Sequence, residues 1–127
     1  MALSFALDGN ILIQLTPEAR PQPIPVKFAL TYTKKAMFDF VLPANTTNLP
    51  VGPGSVTSPK FVLVWVREGS VDLSWASDGA GGLTVSANPD PPPADVPVIV
   101  LMRHEPDAAT LYMTSTAGAR VDVWLLS

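Results

Sequence analysis

Two segments of this chain are apolar on both faces of the strands that they would form. They are residues 61–66, FVLVWV, and residues 98–102, VIVLM. Because successive side chains of a β-strand point to opposite sides, a strand on a water-facing sheet alternates apolar and polar residues. Neither segment alternates, so each needs cover on both faces. The protein's own core covers one face, and a second layer, a long loop or another protein chain must cover the other.

The composition favours a partner. The 127 residues suit one domain spanning 1–127. Hydrophobic residues make up 47% and charged residues 15%, whereas typical soluble domains carry roughly 25% charged residues. We therefore expect part of the surface to be covered in the working state. The alternative is a compact Pro-rich β-domain whose polar surface is formed by Ser, Thr and backbone groups. The net charge is −3 and the eight basic residues are scattered, so no nucleic-acid partner is expected.

The chain contains no cysteine. This excludes disulfides, cysteine-ligated metals and thiol catalysis, so stability must come from packing or from contacts between subunits. The first residues, MALSF, lack the basic start and long apolar run of a signal peptide. No stretch approaches the roughly 20 apolar residues of a membrane-spanning helix. We expect a protein that is made in a cytoplasm, is not secreted and has no membrane partner.

Short runs rich in Val, Leu, Phe, Thr and Trp alternate with Gly, Pro, Asn and Asp, and fourteen prolines are spread along the chain. Proline disfavours helix interiors, and short runs between turn residues indicate strands. The prediction is an all-β fold: an antiparallel, jelly-roll-like β-sandwich of about ten strands with long Pro-rich loops at 17–25, 43–59 and 88–97. Turns or hairpin tips are predicted at residues 8–10, 34–35, 68–69, 77–82 and 117–118.

Polar residues along the strands are assigned by alternation. In the strand predicted at 71–76, Val71, Leu73 and Trp75 point inward, and Asp72 and Ser74 point outward. We also expect Asp39 and Asp122 on the outward faces of their strands, where their carboxylates are solvated or protect a strand edge.

No arrangement of residues indicates catalysis. His104 is the only histidine, and Glu105 beside it points to the opposite face of an extended segment, so a solvated loop is expected. The serines lack a Gly-x-Ser-x-Gly elbow, and the glycine-rich residues 78–82 precede a strand instead of a helix. One histidine without cysteine does not supply the three or four ligands of a usual zinc site, so no zinc is expected. The protein is therefore predicted not to be an enzyme, with no catalytic, cofactor-binding or metal-binding residues. An enzyme would have to depend on His104.

Tryptophans offer an alternative function. Trp75 shares a face with core residues and Trp65 lies in an apolar segment, so Trp124 is the one expected at the surface. The alternative hypothesis is a module that binds glycans or a receptor through Trp124 and the loop tips.

The leading hypothesis is a non-catalytic subunit that associates with copies of itself. Homomer interfaces are more apolar than ordinary surfaces, in agreement with this composition. The predicted interface residues come from the two apolar segments and the C-terminal strand: Phe61, Val62, Val64, Trp65, Val66, Val98, Val100, Met102 and Trp124.

A family resemblance supports an assembling subunit. The sequences VTSPKF at 56–61, GSVDLSW at 69–75 and VDVWLL at 121–126, together with low charge and Pro/Gly-rich arms, resemble small β-sandwich proteins of tailed-bacteriophage virions. Those are decoration (cement) proteins and head or tail accessory proteins. The resemblance implies a virion structural subunit, made in the host cytoplasm, that forms a symmetric oligomer, with a trimer favoured, and binds a capsid or tail. It transfers no functional residue.

Overall fold

The computed structural model of the protein describes residues 3–13, 16–17, 20–52, 54–87, 97–105 and 110–127. These residues form antiparallel strands and no helix, so the all-β prediction is confirmed. None of them belongs to a helix with the length and apolarity needed to cross a bilayer. Contacts divide the chain into two compact units, residues 1–33 and 34–127. A single domain over 1–127 stays a prediction.

The first unit contains one two-stranded antiparallel sheet. Strand β1 (Leu3–Ile13) pairs with β2 (Gln22–Tyr32) from Leu3↔Tyr32 to Ile13↔Gln22 without a register shift. The turn predicted at residues 8–10 is therefore wrong, because these residues continue the ladder opposite residues 25–27. The turn signal was local, whereas eleven consecutive strand pairs hold the segment extended. The Pro-rich segment 17–25 likewise ends inside β2, which begins at Gln22.

The second unit contains seven strands among its described residues. They are β3 (Lys35–Leu42), β4 (Thr46–Pro50), β5 (Phe61–Ser74), β6 (Leu83–Ser86), β7 (Val98–Arg103), β8 (Tyr112–Ser115) and β9 (Ala119–Leu126). Strand β4 lies within the segment predicted as a loop at 43–59. The predicted loop at 88–97 lies outside the described residues except for its last residue.

Strand β5 belongs to two four-stranded parts of one curled antiparallel sheet. Its N-terminal part lies between β9 and β7, in the order β3-β9-β5-β7, which we call the first half-sheet. Its C-terminal part lies between β8 and β6, in the order β4-β8-β5-β6, which we call the second half-sheet. Because Asp72 pairs with Thr114 and Gly69 with Ala119, β8 and β9 follow one another along β5.

These pairings correct two predicted hairpins. Strand β3 pairs with β9 and not with β2, so no hairpin forms around residues 34–35. Strands β8 and β9 do not pair with each other, so residues 117–118 connect consecutive segments of one edge of β5. Both predictions assumed that neighbours in sequence pair in space, whereas packing against β5 decides the order here.

The sheet bends at a crease that crosses its strands. The turn predicted at 68–69 is wrong: β5 continues, with a register shift between Val66 and Glu68 that leaves Arg67 as the extra residue of a β-bulge. Gly69 follows with φ +76°, a value that favours glycine. A Cβ on Gly69 would collide with the carbonyl oxygen of Gly118, and one on Gly118 would lie 3.0 Å from the carbonyl oxygen of Leu42. The backbones therefore pack directly on one another at the crease.

The core lies on the inner face of the curled sheet. The bulge changes the inward residues of β5 from even numbers, as in Val62 and Val64, to odd numbers, as in Val71 and Leu73. Residues from every strand of this unit line this face. The fully buried members are Val51, Val56, Val62, Val64, Val66, Val71, Leu111, Met113, Val121 and Val123. Since Val51 and Val56 come from segment 43–59, that segment packs on the chain's own core.

Ser74 is buried, contrary to the prediction that it points to solvent. Its hydroxyl donates to the carbonyl oxygen of Ala80 at 2.7 Å and accepts from the backbone N–H of Ala76 at 3.1 Å. It therefore holds the loop between β5 and β6, which is the hairpin tip predicted at 77–82. Asp72 is exposed, as predicted.

Candidate interaction surface

The face of the first half-sheet opposite the core, which we call the outer face, carries an apolar row. The register places Met37 opposite Trp124, Trp124 opposite Leu63, and Leu63 opposite Leu101. Four strands thus contribute one apolar side chain each to a line that crosses the sheet. Leu63, in the middle of the row, is 4% exposed, whereas Met37, at the β3 end, is 54% exposed.

The second half-sheet shows the opposite pattern on the equivalent face. Asp72 lies between Thr114 on one neighbouring strand and Thr84 on the other, and the Thr84 hydroxyl donates to the Asp72 carboxylate at 2.5 Å. Asn48 extends this polar row, because its N–H donates to the Thr114 hydroxyl at 3.0 Å. Ser86 and Ser70 are hydrogen-bonded to each other on the same face at 2.8 Å. One continuous sheet therefore has a polar outer surface in one half and an apolar row in the other.

A cation–π and ion-pair cluster borders the apolar row. The guanidinium carbon of Arg67 lies 4.2 Å from the centroid of the Trp65 ring, and Arg67 Nη2 lies 2.5 Å from Asp122 Oδ2. Asp122 is 8% exposed, so the prediction that it is solvated is wrong. The bulge at residue 67 brings a cation beside Asp122, and a paired carboxylate can be buried. Trp65 Nε1 and Arg67 Nε are buried without a hydrogen-bond partner among the described residues.

Charged residues lie around the apolar row on the outer face. Lys35 and Asp39 flank Met37 on β3, Arg103 is the last residue of β7, and Arg120 lies on β9 two residues before Asp122. All four are exposed. Asp39 lies directly opposite Asp122 and, as predicted, is exposed. Beyond Met37, two further large apolar side chains are exposed on this face: Val41 at 77% and Ile99 at 56%. An apolar centre inside a charged rim is typical of protein–protein contact surfaces.

The nine predicted interface residues divide between the two faces of the first half-sheet. Val62, Val64 and Val66 are buried in the chain's own core, and the inward residues of β7 pack against that core: Val98, Val100 and Met102. The structure brings Phe61, Trp65 and Trp124 to the outer face, where all three are half-buried.

Most residues of the apolar row and its exposed neighbours were not predicted as interface residues from the sequence. Met37 and Val41 share the outer face with Asp39 at a spacing of two, so alternation along β3 could have identified them. Ile99 and Leu101 were within the predicted apolar segment but were not among the named residues.

The single histidine does not face a carboxylate partner among the described residues. The ring of His104 makes an edge contact with Trp75, with 4.8 Å between centroids, and its backbone N–H donates to the carbonyl oxygen of Lys60 at 2.8 Å. Trp75 packs partly buried against the core, in agreement with its predicted role. No group of three metal-ligating side chains comes together in the part of the chain that the structure describes.

Comparisons with known proteins found no matching family model, no similar curated protein and no similar solved structure.

Proposed function

We propose that the protein is a non-catalytic structural subunit that assembles with copies of itself, with the outer face of the first half-sheet in contact with a second copy. The observation that carries this proposal is the contrast between the two rows. The polar row shows that this sheet can present hydrogen-bonded Ser, Thr, Asn and Asp to water. On the outer face of the first half-sheet, the apolar row has Met, Trp and two Leu in place of these polar residues.

Burial of the exposed apolar side chains provides the driving force for association. Met37, Val41 and Ile99 are each more than half exposed, and burying such a side chain completely contributes roughly 1.5–3 kcal/mol. Several such side chains in one patch, with tryptophan and arginine beside them, match the residue types that dominate binding energies at interfaces. The charged rim would set the orientation of the two copies.

The more specific part of the proposal rests on the resemblance of the sequence to small β-sandwich proteins of tailed-phage virions. On this basis we propose a jelly-roll-like β-sandwich subunit of a tailed-phage virion, with trimeric symmetry and a capsid or tail as the larger partner. The apolar outer face suits such a role because a subunit of a large assembly need not keep all of its surface wet.

Native mass measured against concentration, by light scattering or sedimentation, tests the proposal. Ile99→Lys places a charge in the outer face and is expected to weaken self-association by about tenfold or more. Leu83→Lys is the matched control, because Leu83 is 50% exposed but lies on β6 in the second half-sheet. A wild-type chain that is monomeric at millimolar concentration contradicts the proposal, as does equal weakening by the two variants.

Binding of a glycan is the second candidate, favoured by the half-buried Trp124 on the outer face, two residues along β9 from the carboxylate of Asp122. It predicts measurable affinity in a sugar panel that Trp124→Ala abolishes. The Trp65 ring offers less to a sugar, because Arg67 already lies over it. Retention of sugar affinity in Trp124→Ala would remove this candidate.

A further inference from the structure

We infer that the free edge of β3 pairs with the same edge of a second copy, antiparallel and centred on Met37, so that Lys35 of each chain lies opposite Asp39 of the other. This inference rests on the proposed self-association and adds an edge contact to the proposed contact of the outer face, because edge pairing places the two outer faces side by side and does not bury them. The edge contact is two-fold and joins two chains, which differs from the trimer implied by the resemblance.

The backbone of β3 determines which residues can form this contact. Lys34 and Ser127 exchange both of their N–H···O bonds, at 3.3 and 3.0 Å, at the start of the β3–β9 ladder. Bonding to β9 alternates along an antiparallel ladder, and no register shift interrupts this one. Residues 36, 38 and 40 therefore direct their N–H and C=O groups to β9. Residues 35, 37, 39 and 41 direct theirs to the free edge.

This edge is accessible. In the described part of the chain β3 pairs only with β9, and residues 35, 37, 39 and 41 are all exposed. The Ser55 hydroxyl donates a long bond of 3.3 Å to the Lys35 carbonyl oxygen, which leaves that oxygen a second lone pair. An exposed strand of eight residues is a ready template for pairing with another chain.

Charge selects one register. A two-fold antiparallel pairing must place outward-directed residues opposite one another, so the pairs come from residues 35, 37, 39 and 41. Centring on Asp39 places two carboxylates opposite each other, and centring on residue 38 places Lys35 opposite Val41 and Asp39 opposite Met37. Only centring on Met37 places Lys35 opposite Asp39, and symmetry makes that ion pair twice. Opposite charges in directly facing positions stabilise a sheet, and like charges destabilise it.

The same register also joins the two apolar rows. When Met37 lies opposite Met37 of the second copy, the row Met37–Trp124–Leu63–Leu101 continues into its symmetry-related row. The two outer faces then form one surface with the apolar line unbroken across eight strands. Charge pairing and row alignment are independent properties of the sequence, and they select the same register.

The other edge of the first half-sheet lacks this complementarity. By the same alternation, β7 directs residues 99, 101 and 103 to its free edge. Within β7 these are Ile, Leu and Arg, so no two-fold register of the strand itself pairs opposite charges. A register centred on His104 would place Arg103 opposite Glu105, but Glu105 lies beyond the end of β7, so that register pairs no residue of one β7 strand with a residue of the other. Of the two edges of the first half-sheet, β3 is therefore the one whose strand residues specify a register.

Charge exchange tests the inference. Lys35→Asp alone and Asp39→Lys alone each turn two attractive pairs into two repulsive ones, and each is expected to weaken the dimer by about tenfold or more. The double variant Lys35→Asp/Asp39→Lys restores both pairs and is expected to return association to within about threefold of wild type. Lys34→Asp is the control, because it makes the same change of charge at an exposed neighbour whose backbone bonds to Ser127.

Amide exchange by NMR gives a second readout. The N–H groups of residues 35, 37 and 39 are expected to exchange slowly when the protein is concentrated and faster on dilution. Those of residues 36, 38 and 40 face β9 and should not respond to dilution. This pattern requires backbone pairing at the edge, which a contact through side chains alone would not produce.

The outcomes separate the two proposals. If the wild-type chain is monomeric, the proposed function fails and the edge contact fails with it. If the wild-type chain associates but the single charge variants keep wild-type affinity, or the double variant does not recover, only the β3 contact is overturned. A native mass of three chains, with unprotected amides at residues 35, 37 and 39, also overturns the β3 contact and leaves self-association standing.

Discussion

Replacing Gly69 by alanine tests the crease of the sheet. Two costs add at this position. A residue with a Cβ held at φ +76° costs about 1–2 kcal/mol. The new Cβ would also collide with the carbonyl oxygen of Gly118, which belongs to the neighbouring backbone and cannot rotate away as a side chain would. Overpacking of this kind costs about 1–3 kcal/mol, so the free energy of unfolding should fall by about 3 kcal/mol.

Two other glycines separate these costs. Gly81 has φ +68°, but a Cβ added there would meet no atom within 4 Å, so Gly81→Ala isolates the conformational cost of about 1–2 kcal/mol. Gly52 has neither a positive φ nor a close neighbour, so Gly52→Ala should be neutral or stabilise by up to about 1 kcal/mol. From most to least stable, the expected order is Gly52→Ala, wild type, Gly81→Ala and Gly69→Ala.

Urea and thermal unfolding followed by circular dichroism measure this order. A loss of about 3 kcal/mol corresponds to a fall in Tm of roughly 12–24 °C for a unit of this size. If Gly69→Ala is no less stable than Gly81→Ala, the strands do not meet at Gly118 as described, and the crease is wrong. The series is read at one protein concentration, because association would also shift Tm.

Three further substitutions test buried groups. Arg67→Met leaves Asp122, which is 8% exposed, without its cation and should lower the free energy of unfolding in urea by about 1–2 kcal/mol. Adding Asp122→Asn to the same chain should restore part of this loss. No loss of stability in Arg67→Met would contradict the ion pair. Ser74→Ala removes the hydroxyl that holds the β5–β6 loop and should cost about 1–2 kcal/mol, with faster amide exchange at Ala76; unchanged exchange there argues against this role. Val64→Asp places a charge at a position with 0% exposure and should unfold residues 34–127, seen as loss of the strand signal in circular dichroism; a folded variant would contradict the described core.

Local patterns predicted much of the second unit. Alternation gave the inward residues Val71 and Leu73 of β5, and turn residues located the loop before Leu83. The apolar segment predicted at 98–102 coincides with β7, and the segments at 61–66 and 71–76 fall almost entirely within β5. Periodicity of side chains is a property of a single strand, so the sequence carries it directly.

Pairing between distant strands could not be obtained in this way. Glu68-Gly69 has the composition of a turn, but a positive φ at glycine serves a bulge as well as a turn, and only packing against β9 decides between them. Asp122 has the spacing of a solvated residue, and its burial depends on Arg67, which lies 55 positions earlier in the sequence. The apolar row is likewise visible only after the registers of four strands are known.

The pairing of β3 with β9 also bears on how the protein is made. Lys35 lies opposite Leu126, 91 positions later in the chain. At a synthesis rate of roughly 5–20 residues per second, β3 would leave the ribosome about 5–20 seconds before its only described neighbour. Throughout that interval both of its edges are available to nascent chains on adjacent ribosomes. Slow translation of residues 43–118 should therefore raise the fraction of misassembled protein, and a holding chaperone should lower it.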